Sequence, residues 1–402
     1  MSHTGTLVLI MAAAVLAPLL AKGAARRVRV PLVIFEIALG ILVGPDVLDW
    51  ARSDQVVDVL ADLGLAMLIF LAGYEIEFAA VRGTLRRAAG AWLCSLALGI
   101  ALALWISGGD TYRAFVIGTA LTSTALGTVL PILRDRGDLR TPLGTVVSAF
   151  GAVGEFGPIV AMALLLSGRK PGQSAALLVA FGVITAAVVW WALRPRPPWF
   201  SRMVDETLHS SGQFAVRFVM LLLAAMIALA QAFGLDILLG AFAAGALTRL
   251  VLHGAAPEHS TEVMGRVEAL GFGFLVPLFY VVTGIEFDLR ALLDGGRALA
   301  LLPLFLLLFL LVRGGPVLLL APRDLPVPDR RALALYASTC LPLVVAITTI
   351  GVDQKVLGSD EAAALVGAAM LSVLLLPLLA TRLRRAGRAD PPARASEQSE
   401  AW

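Results

Sequence analysis

One carboxylate stands inside an otherwise apolar stretch of the sequence and is the strongest candidate for chemistry. Glu155 lies in the segment GAVGEFGPIVAMALLL, residues 151–166, which contains no other charged side chain. A charged group inside a bilayer is costly, and such groups usually mark an ion or proton pathway. Because burial disfavours the charged carboxylate, a proton and a small cation can compete for it. Glu155 is therefore predicted to bind a proton and a monovalent cation alternately.

Two further segments combine hydroxyl side chains with helix-breaking residues. The hydroxyl groups belong to Thr122, Ser123, Thr124, Ser338 and Thr339. Glycine or proline follows each group within a few residues, as Gly127 and Pro342 show. In the middle of a membrane span this combination predicts an interrupted helix whose released carbonyl groups face a cavity. Close packing between neighbouring helices is the alternative interpretation. We expect these oxygens to be further ligands for the cation.

Two other charged residues lie within apolar runs. Arg313 interrupts the segment LLPLFLLLFLLVRGGPVLLL, and its guanidinium keeps its proton under ordinary conditions. It is interpreted as a fixed counter-charge in the core, or as a side chain that extends about 10 Å to the inner surface. Glu36 is interpreted either as an acid that lines the inner cavity or as the partner of a nearby arginine or backbone donor. With Glu155 as the one exchangeable carboxylate, the exchange of one proton for one cation is predicted to be electroneutral.

The elements that position these residues follow from composition. Hydrophobic residues make up 59% of the 402 residues, charged residues make up 15%, and the mean hydropathy is +0.87. This composition excludes an ordinary soluble protein and predicts an all-α polytopic membrane protein embedded in lipid. Basic residues sit in short loops and form no stripe, so no nucleic acid partner is expected. Thirteen apolar runs are long enough to span a bilayer: 6–22, 31–48, 56–76, 84–108, 112–133, 141–167, 173–193, 212–233, 235–252, 264–285, 297–320, 331–351 and 361–381.

The charges of the loops predict the orientation of the chain. Lys and Arg concentrate in alternate loops, which places the N-terminus outside and the C-terminus in the cytoplasm. A bacterial-type cell (inner) membrane is the expected location. The predicted organisation is a transmembrane domain and a disordered basic tail, with these boundaries: the domain 1–382, repeat one 6–167, a linker helix 173–193, repeat two 212–382, and the tail 383–402.

Three pairs of short motifs indicate an inverted repeat. EIALG at 36–40 matches DILLG at 236–240, and STAL at 123–126 matches STCL at 338–341. GYEIEF at 73–78 resembles GIEFDL at 284–289 once a one-residue gap is allowed. Each match links spans that are seven apart, so the two copies face opposite ways across the membrane. Inverted repeats of this kind are typical of secondary transporters.

The same segments carry a family resemblance. PLVIFEIALGILVGPDVL, FLAGYEIEF, LTSTALGTVLPILRDRG, LDILLGAFAAGAL and VPLFYVVTGIEFDL, together with the acid-bearing sixth span, resemble the monovalent cation/proton antiporter superfamily, nearest its Kef-type and bacterial sodium/proton branch. The resemblance covers about residues 6–382. It implies a homodimer, a core half with two crossed discontinuous helices, and Glu155 as the carrier of ion and proton.

Two departures from the family pattern bear on the site. Gly154 stands where relatives carry a polar or acidic residue, and the essential acid is Glu155 in place of an aspartate. Kef-type relatives append a soluble nucleotide-binding domain, which is not expected in this chain, and no cofactor is expected.

The predicted function is secondary antiport of protons against Na+ or K+ by alternating access. The alternatives are a sodium-coupled solute symporter with a similar inverted-repeat fold, and a sensor or channel that exchanges nothing.

Overall fold

The structure is a computed structural model of a helical membrane protein. It describes residues 3–24, 30–75, 78–165, 171–192, 203, 206–207, 213–255, 259–294 and 296–388. Helices account for the regular structure of these residues, and no strand occurs among them. The all-α fold class predicted from composition is confirmed.

The chain forms sixteen long or short helices within the described ranges. The first eight are α1 His3–Ala24, α2 Leu32–Val43, α3 Gln55–Glu75, α4 Phe78–Ile106, α5 Thr111–Leu121, α6 Leu126–Asp135, α7 Pro142–Leu165 and α8 Pro171–Ala192. The next eight are α9 Phe214–Ala232, α10 Ile237–Ala255, α11 Ser260–Ile285, α12 Leu289–Asp294, α13 Arg297–Leu320, α14 Val327–Ala337, α15 Pro342–Asp353 and α16 Ser359–Arg388. Helices α11 and α13 each contain a π-helical turn, at Gly271–Leu275 and Phe309–Gly314 respectively.

Eleven helical segments in the described residues are long and apolar enough to cross a membrane. Helices α2 and α10 coincide with the second and ninth predicted spans, but their apolar parts are shorter, at Leu32–Val43 and Ile237–Leu252. Helix α2 ends before the predicted boundary at residue 48, because Gly44 is extended and Pro45 follows it. The C-terminal end of the transmembrane domain also differs from the prediction. Helix α16 continues to Arg388, and residues 389–402 of the predicted tail lie outside the described residues.

The helices pack into two groups. In one group α2 packs against α11, while α3 packs against both α10 and α11. In the other group α4 packs against α5 and α7, and α16 packs against α13 and α14. Helix α8 contacts both groups, through α7 and α10.

Close helix crossings in the first group depend on glycine. Where α2 crosses α11, a Cβ atom on Gly40 would lie 2.9 Å from the Cα atom of Gly284 and would collide with the carbonyl oxygen of Val281. Small residues let helices approach closely in a membrane, where van der Waals packing replaces the hydrophobic effect as the main attraction. The crossing therefore keeps this group compact. Of the charged residues singled out above, Glu36 lies in this group, on α2, whereas Glu155 and Arg313 lie in the other group.

Candidate ion-binding site

Both segments predicted to be interrupted helices are interrupted. Helix α5 ends at Leu121 and α6 begins at Leu126, while α14 ends at Ala337 and α15 begins at Pro342. Proline at the start of α15 cannot continue the hydrogen-bond ladder of α14, which accounts for the second interruption. The first interruption has no proline in it and depends on contacts with the rest of the protein.

The two interruptions meet at a point, which we call the crossing, and share hydrogen bonds there. The backbone N–H of Ala125 donates to the carbonyl oxygen of Thr339 at 2.7 Å. The hydroxyl of Thr124 donates to the carbonyl oxygen of Ala337 at 2.6 Å. These bonds satisfy backbone groups that the interruptions release from their own helices, which is a requirement in a dry interior. The crossing point is thus one connected polar structure.

Helix α7 carries Glu155 past this crossing. The backbone N–H of Thr124 donates to the carbonyl oxygen of Gly154 at 3.0 Å, which fixes the adjacent residue beside the first interruption. Glu155 is 2% exposed, and the backbone N–H of Leu126 acts on its carboxylate as a hydrogen-bond donor. Leu126 is the first residue of α6, and the N-terminus of a helix attracts negative charge. The fold therefore offers the carboxylate a favourable electrostatic position.

One oxygen of this carboxylate is left without a partner. Glu155 Oε2 is fully buried and has no hydrogen-bond donor within the described part of the chain. Leaving a buried carboxylate oxygen without a donor costs more free energy than an ordinary hydrogen bond contributes. The atom is accordingly suited to a proton or a cation.

Arg313 lies beside Gly154, the residue before Glu155, and does not pair with Glu155. It belongs to the π-helical turn of α13 and is completely buried. Its Nε donates to the Thr124 hydroxyl at 3.0 Å, and its Nη2 donates to the carbonyl oxygen of Phe150 at 2.7 Å. No ion pair joins Arg313 and Glu155 among the residues described, and Nη1 has no partner there. The guanidinium lies in the core, so extension to the inner surface is not observed, while its role as a counter-charge stays a prediction.

Gly154 is explained by the position of that guanidinium. A Cβ atom at this residue would collide with Nη2 of Arg313 and with Oγ1 of Thr124. The space that a side chain would occupy is filled by a fixed positive charge. The absence of a side chain at Gly154 and the presence of Arg313 are therefore two parts of one packing arrangement.

The other predicted hydroxyl ligands are turned toward their own helices. Each donates to a backbone carbonyl three or four residues earlier, over these distances: Thr122 to Thr119 at 2.8 Å, Ser123 to Ala120 at 2.9 Å, Ser338 to Ala334 at 2.9 Å and Thr339 to Leu335 at 3.1 Å. All four residues are buried at the crossing. Their oxygens keep lone pairs, so their role as cation ligands stays a prediction. No cluster of three or more His, Cys, Asp or Glu side chains suited to a metal ion occurs in the described residues.

Sequence reasoning missed Tyr280. This residue is 5% exposed on α11, its hydroxyl is hydrogen-bonded to the side chain of Thr128, and the charges of Glu36 and Glu155 both act on it. Glu36 is 4% exposed on α2, so this buried tyrosine is within electrostatic reach of both the predicted cavity acid and the predicted carrier. A tyrosine in the middle of the run VPLFYVVTG was the available signal.

A second carboxylate also affects the site. Glu75, the last residue of α3, repels the charge of Glu155 and pairs with Arg134 near the end of α6 at 2.9 Å. This ion pair joins α3 to α6. The side chain of Glu75 is 21% exposed.

The fold and site define a multi-pass membrane protein with a buried carboxylate at the crossing of two interrupted helices. The chain belongs to the family described as sodium/hydrogen exchanger, transmembrane, whose profile matches residues 11–383. The resemblance to cation/proton antiporters is thereby confirmed.

Individual relatives extend this comparison. A Bacillus subtilis protein, named as a candidate Na(+)/H(+) antiporter, is 24% identical over 410 residues, covering 95% of this chain and 64% of that protein. Cation/H(+) antiporter 18 of Arabidopsis thaliana is 28% identical over 377 residues, covering 87% of this chain and 45% of that protein. The chain thus spans less than two thirds of the length of these relatives. The solved sodium proton antiporter MjNhaP1 of Methanocaldococcus jannaschii superimposes with a TM-score of 0.69 at 14% identity, covering 96% of this chain and 98% of the other, and shares its fold.

Proposed function

We propose that the protein is a secondary active antiporter that exchanges protons for Na+ or K+ across the membrane. Glu155 is the group that binds proton and cation in turn. The single observation that carries this proposal is the buried Oε2 of Glu155, which has no partner among the described residues and lies at the crossing of two interrupted helices. The names of the relatives support the same reaction class.

The chemistry follows from the exclusion of one ligand by the other. When a proton occupies the carboxylate, the group is neutral and has little attraction for a cation. When the proton leaves, the carboxylate is a hard oxygen ligand of the type that alkali cations bind, and nearby hydroxyl and carbonyl oxygens can complete the coordination. If the protein exposes Glu155 to each side of the membrane in turn, and only with a proton or a cation bound, the flow of protons in one direction is coupled to the flow of cations in the other.

The proposed stoichiometry is one proton for one cation. Arg313 is a fixed charge, because a guanidinium does not release its proton under ordinary conditions. Gly154 contributes no titratable group, and Arg313 fills the adjacent space. The carrier group therefore has the same charge in both loaded states, and the exchange is electroneutral.

The wider architecture belongs to the same proposal. We infer thirteen spans in an inverted repeat, with the N-terminus outside and the C-terminus in the cytoplasm of a bacterial-type cell. The transmembrane domain occupies 1–382, with 173–193 as the linker helix, and two copies form a homodimer. The packing of the helices supports the repeat: α2 of repeat one packs on α11 of repeat two, and α10 of repeat two packs in turn on α3 of repeat one.

Proton flux in proteoliposomes tests the proposal. The protein is reconstituted into the membrane of vesicles that contain a pH-sensitive dye. The vesicles are then exposed to outward and inward gradients of Li+, Na+ and K+. We expect cation-driven proton movement for the parent and its loss in Glu155→Gln, since the amide binds neither ligand. Asp324→Asn is the matched control, because it makes the same change of carboxylate to amide in an exposed loop.

Three results would overturn the proposal or part of it. Full exchange by folded Glu155→Gln would remove this residue as the carrier. Uptake of an organic solute with Na+ and without proton movement would identify a symporter. A current that reverses with membrane voltage would rule out the electroneutral stoichiometry.

A further inference from the structure

The second interruption is held by a serine from another helix. Ser372 lies in the middle of α16 and is completely buried. The backbone N–H of Cys340 donates to its hydroxyl oxygen at 3.0 Å. The hydroxyl proton has two carbonyl acceptors within reach, those of Ala369 at 2.7 Å and Cys340 at 3.0 Å.

An interrupted helix needs such a partner. The peptide groups between α14 and α15 lose the hydrogen bonds of a continuous helix, and a buried group without a partner is strongly unfavourable. Thr339 finds a partner for its carbonyl oxygen in the N–H of Ala125, across the crossing. The next residue, Cys340, finds its partner in Ser372. Ser372 thus holds the residue that directly follows the contact between the two interruptions.

A short chain of contacts connects Ser372 to the carboxylate. Ser372 fixes Cys340, and the adjacent Thr339 accepts from Ala125 at 2.7 Å. Ala125 immediately precedes Leu126, whose N–H acts on Glu155. A shift of the second interruption therefore moves the donor that faces the carboxylate.

The first interruption is held in a corresponding way. There the neighbouring helix is α7, whose Gly154 carbonyl accepts from Thr124 at 3.0 Å. Helix α7 supplies a backbone oxygen to the first interruption, and α16 supplies a side-chain hydroxyl to the second. Each interrupted helix is therefore fixed by one continuous helix of the same group.

We propose that Ser372 is a positioning residue for the Glu155 site, acting through its hydrogen bond to the backbone of Cys340. This inference rests on the proposed function for its effect on transport. The geometry at Cys340 stands apart from that function and can be measured by itself.

The test compares Ser372→Ala with a matched variant elsewhere in the core. Ser95 on α4 is also completely buried, and its hydroxyl donates to the carbonyl oxygen of Ala91 at 2.9 Å in its own helix. Ser95→Ala therefore removes a buried serine hydroxyl without touching either interruption. Ser372→Thr keeps the hydroxyl and serves as the conservative variant.

Two readouts distinguish positioning from general stability. In proteoliposomes, Ser372→Ala is expected to raise the cation KM by about tenfold, the factor that about 1.4 kcal/mol produces. Ser95→Ala is expected to leave the KM unchanged, and Ser372→Thr to restore it. In hydrogen–deuterium exchange, the peptide that contains Cys340 is expected to exchange faster in Ser372→Ala and at the parental rate in Ser95→Ala.

The proposal is overturned if Ser372→Ala and Ser95→Ala give the same KM and the same exchange rate at Cys340. It is also overturned if Ser372→Ala lowers the maximum rate alone while exchange at Cys340 stays parental. If the parent carries out no cation-driven proton movement, the proposed function fails. The exchange rate at Cys340 then decides the role of Ser372, since faster exchange supports it and an unchanged rate refutes it.

Discussion

Substitution of Gly154 by alanine is the most direct perturbation of the packing around Arg313. The new Cβ atom would meet Nη2 of Arg313 and Oγ1 of Thr124, and it would lie 2.8 Å from Cβ of Thr124. The Thr124 side chain is held by its bond to Ala337, and the guanidinium is held by its bond to Phe150. Neither neighbour can move away without losing a hydrogen bond.

The expected cost follows from these contacts. Overpacking a well-packed core typically costs about 1 to 3 kcal/mol. Displacing the guanidinium also weakens a charged hydrogen bond, which contributes about 1.5 to 3 kcal/mol. Alanine recovers about 1 kcal/mol through its higher helix propensity. We expect Gly154→Ala to lower the free energy of unfolding by about 1.5 to 5 kcal/mol, the range that remains when the helix-propensity gain is subtracted from the costs of overpacking and hydrogen-bond loss.

Thermal unfolding of purified protein in detergent measures this effect against a matched control. Gly90 lies within α4, and a Cβ atom added there would have no heavy atom within 4 Å outside its own helix, so Gly90→Ala tests helix propensity alone. This control should be neutral or slightly stabilising. In an Arg313→Ala background the cost of Gly154→Ala should shrink, because one of the colliding groups is gone.

A parental unfolding midpoint for Gly154→Ala would refute the reasoning. It would mean that the guanidinium does not occupy the space beside Gly154, and the packing explanation for that glycine would fail. An unchanged cost in the Arg313→Ala background would assign the collision to Thr124 alone.

Ion pairs at two arginines, Arg384 and Arg134, give further predictions. Arg384 is 6% exposed and donates to Asp138 and, at 2.8 Å, to Asp329. Arg384→Met should lower the free energy of unfolding by about 3 kcal/mol, because Asp329 loses its partner and Asp138 is left with Arg136, 4.0 Å away. An unfolding midpoint like that of the parent would contradict this. In the ion pair between Arg134 and Glu75, the arginine side chain is 52% exposed. Glu75→Gln should therefore change the free energy of unfolding by less than about 1 kcal/mol. A larger loss in the same unfolding assay would show that this pair is more than a surface contact.

Some features of the site were predictable because they depend on local sequence. An apolar run of sufficient length indicates a membrane span whatever surrounds it, and a lone acid such as Glu155 is then conspicuous. The interruption before Pro342 follows from a residue that has no backbone N–H to donate. The interruption at residues 122–125 was predicted from its hydroxyl and glycine residues, and the structure shows where its backbone groups find partners.

Other features depend on residues far apart in the sequence. Arg313 is separated by 189 residues from Thr124 and by 163 from Phe150, and its choice of these partners over Glu155 is a matter of three-dimensional packing. Ser372 carries no sequence signal of its role, and the signal at Tyr280 is ambiguous, since a serine or a tyrosine in an apolar helix has many ordinary explanations.

The sequence by itself therefore determined the class of protein, most of its spans, its two interrupted helices and its buried acid. The physical reason is that bilayer thickness and backbone geometry act on short segments of chain. Only the tertiary structure decided which side chains meet at the crossing, that Arg313 fills the space beside Gly154, and that Ser372 holds Cys340. Those contacts arise from the packing of helices whose relative positions no local pattern specifies.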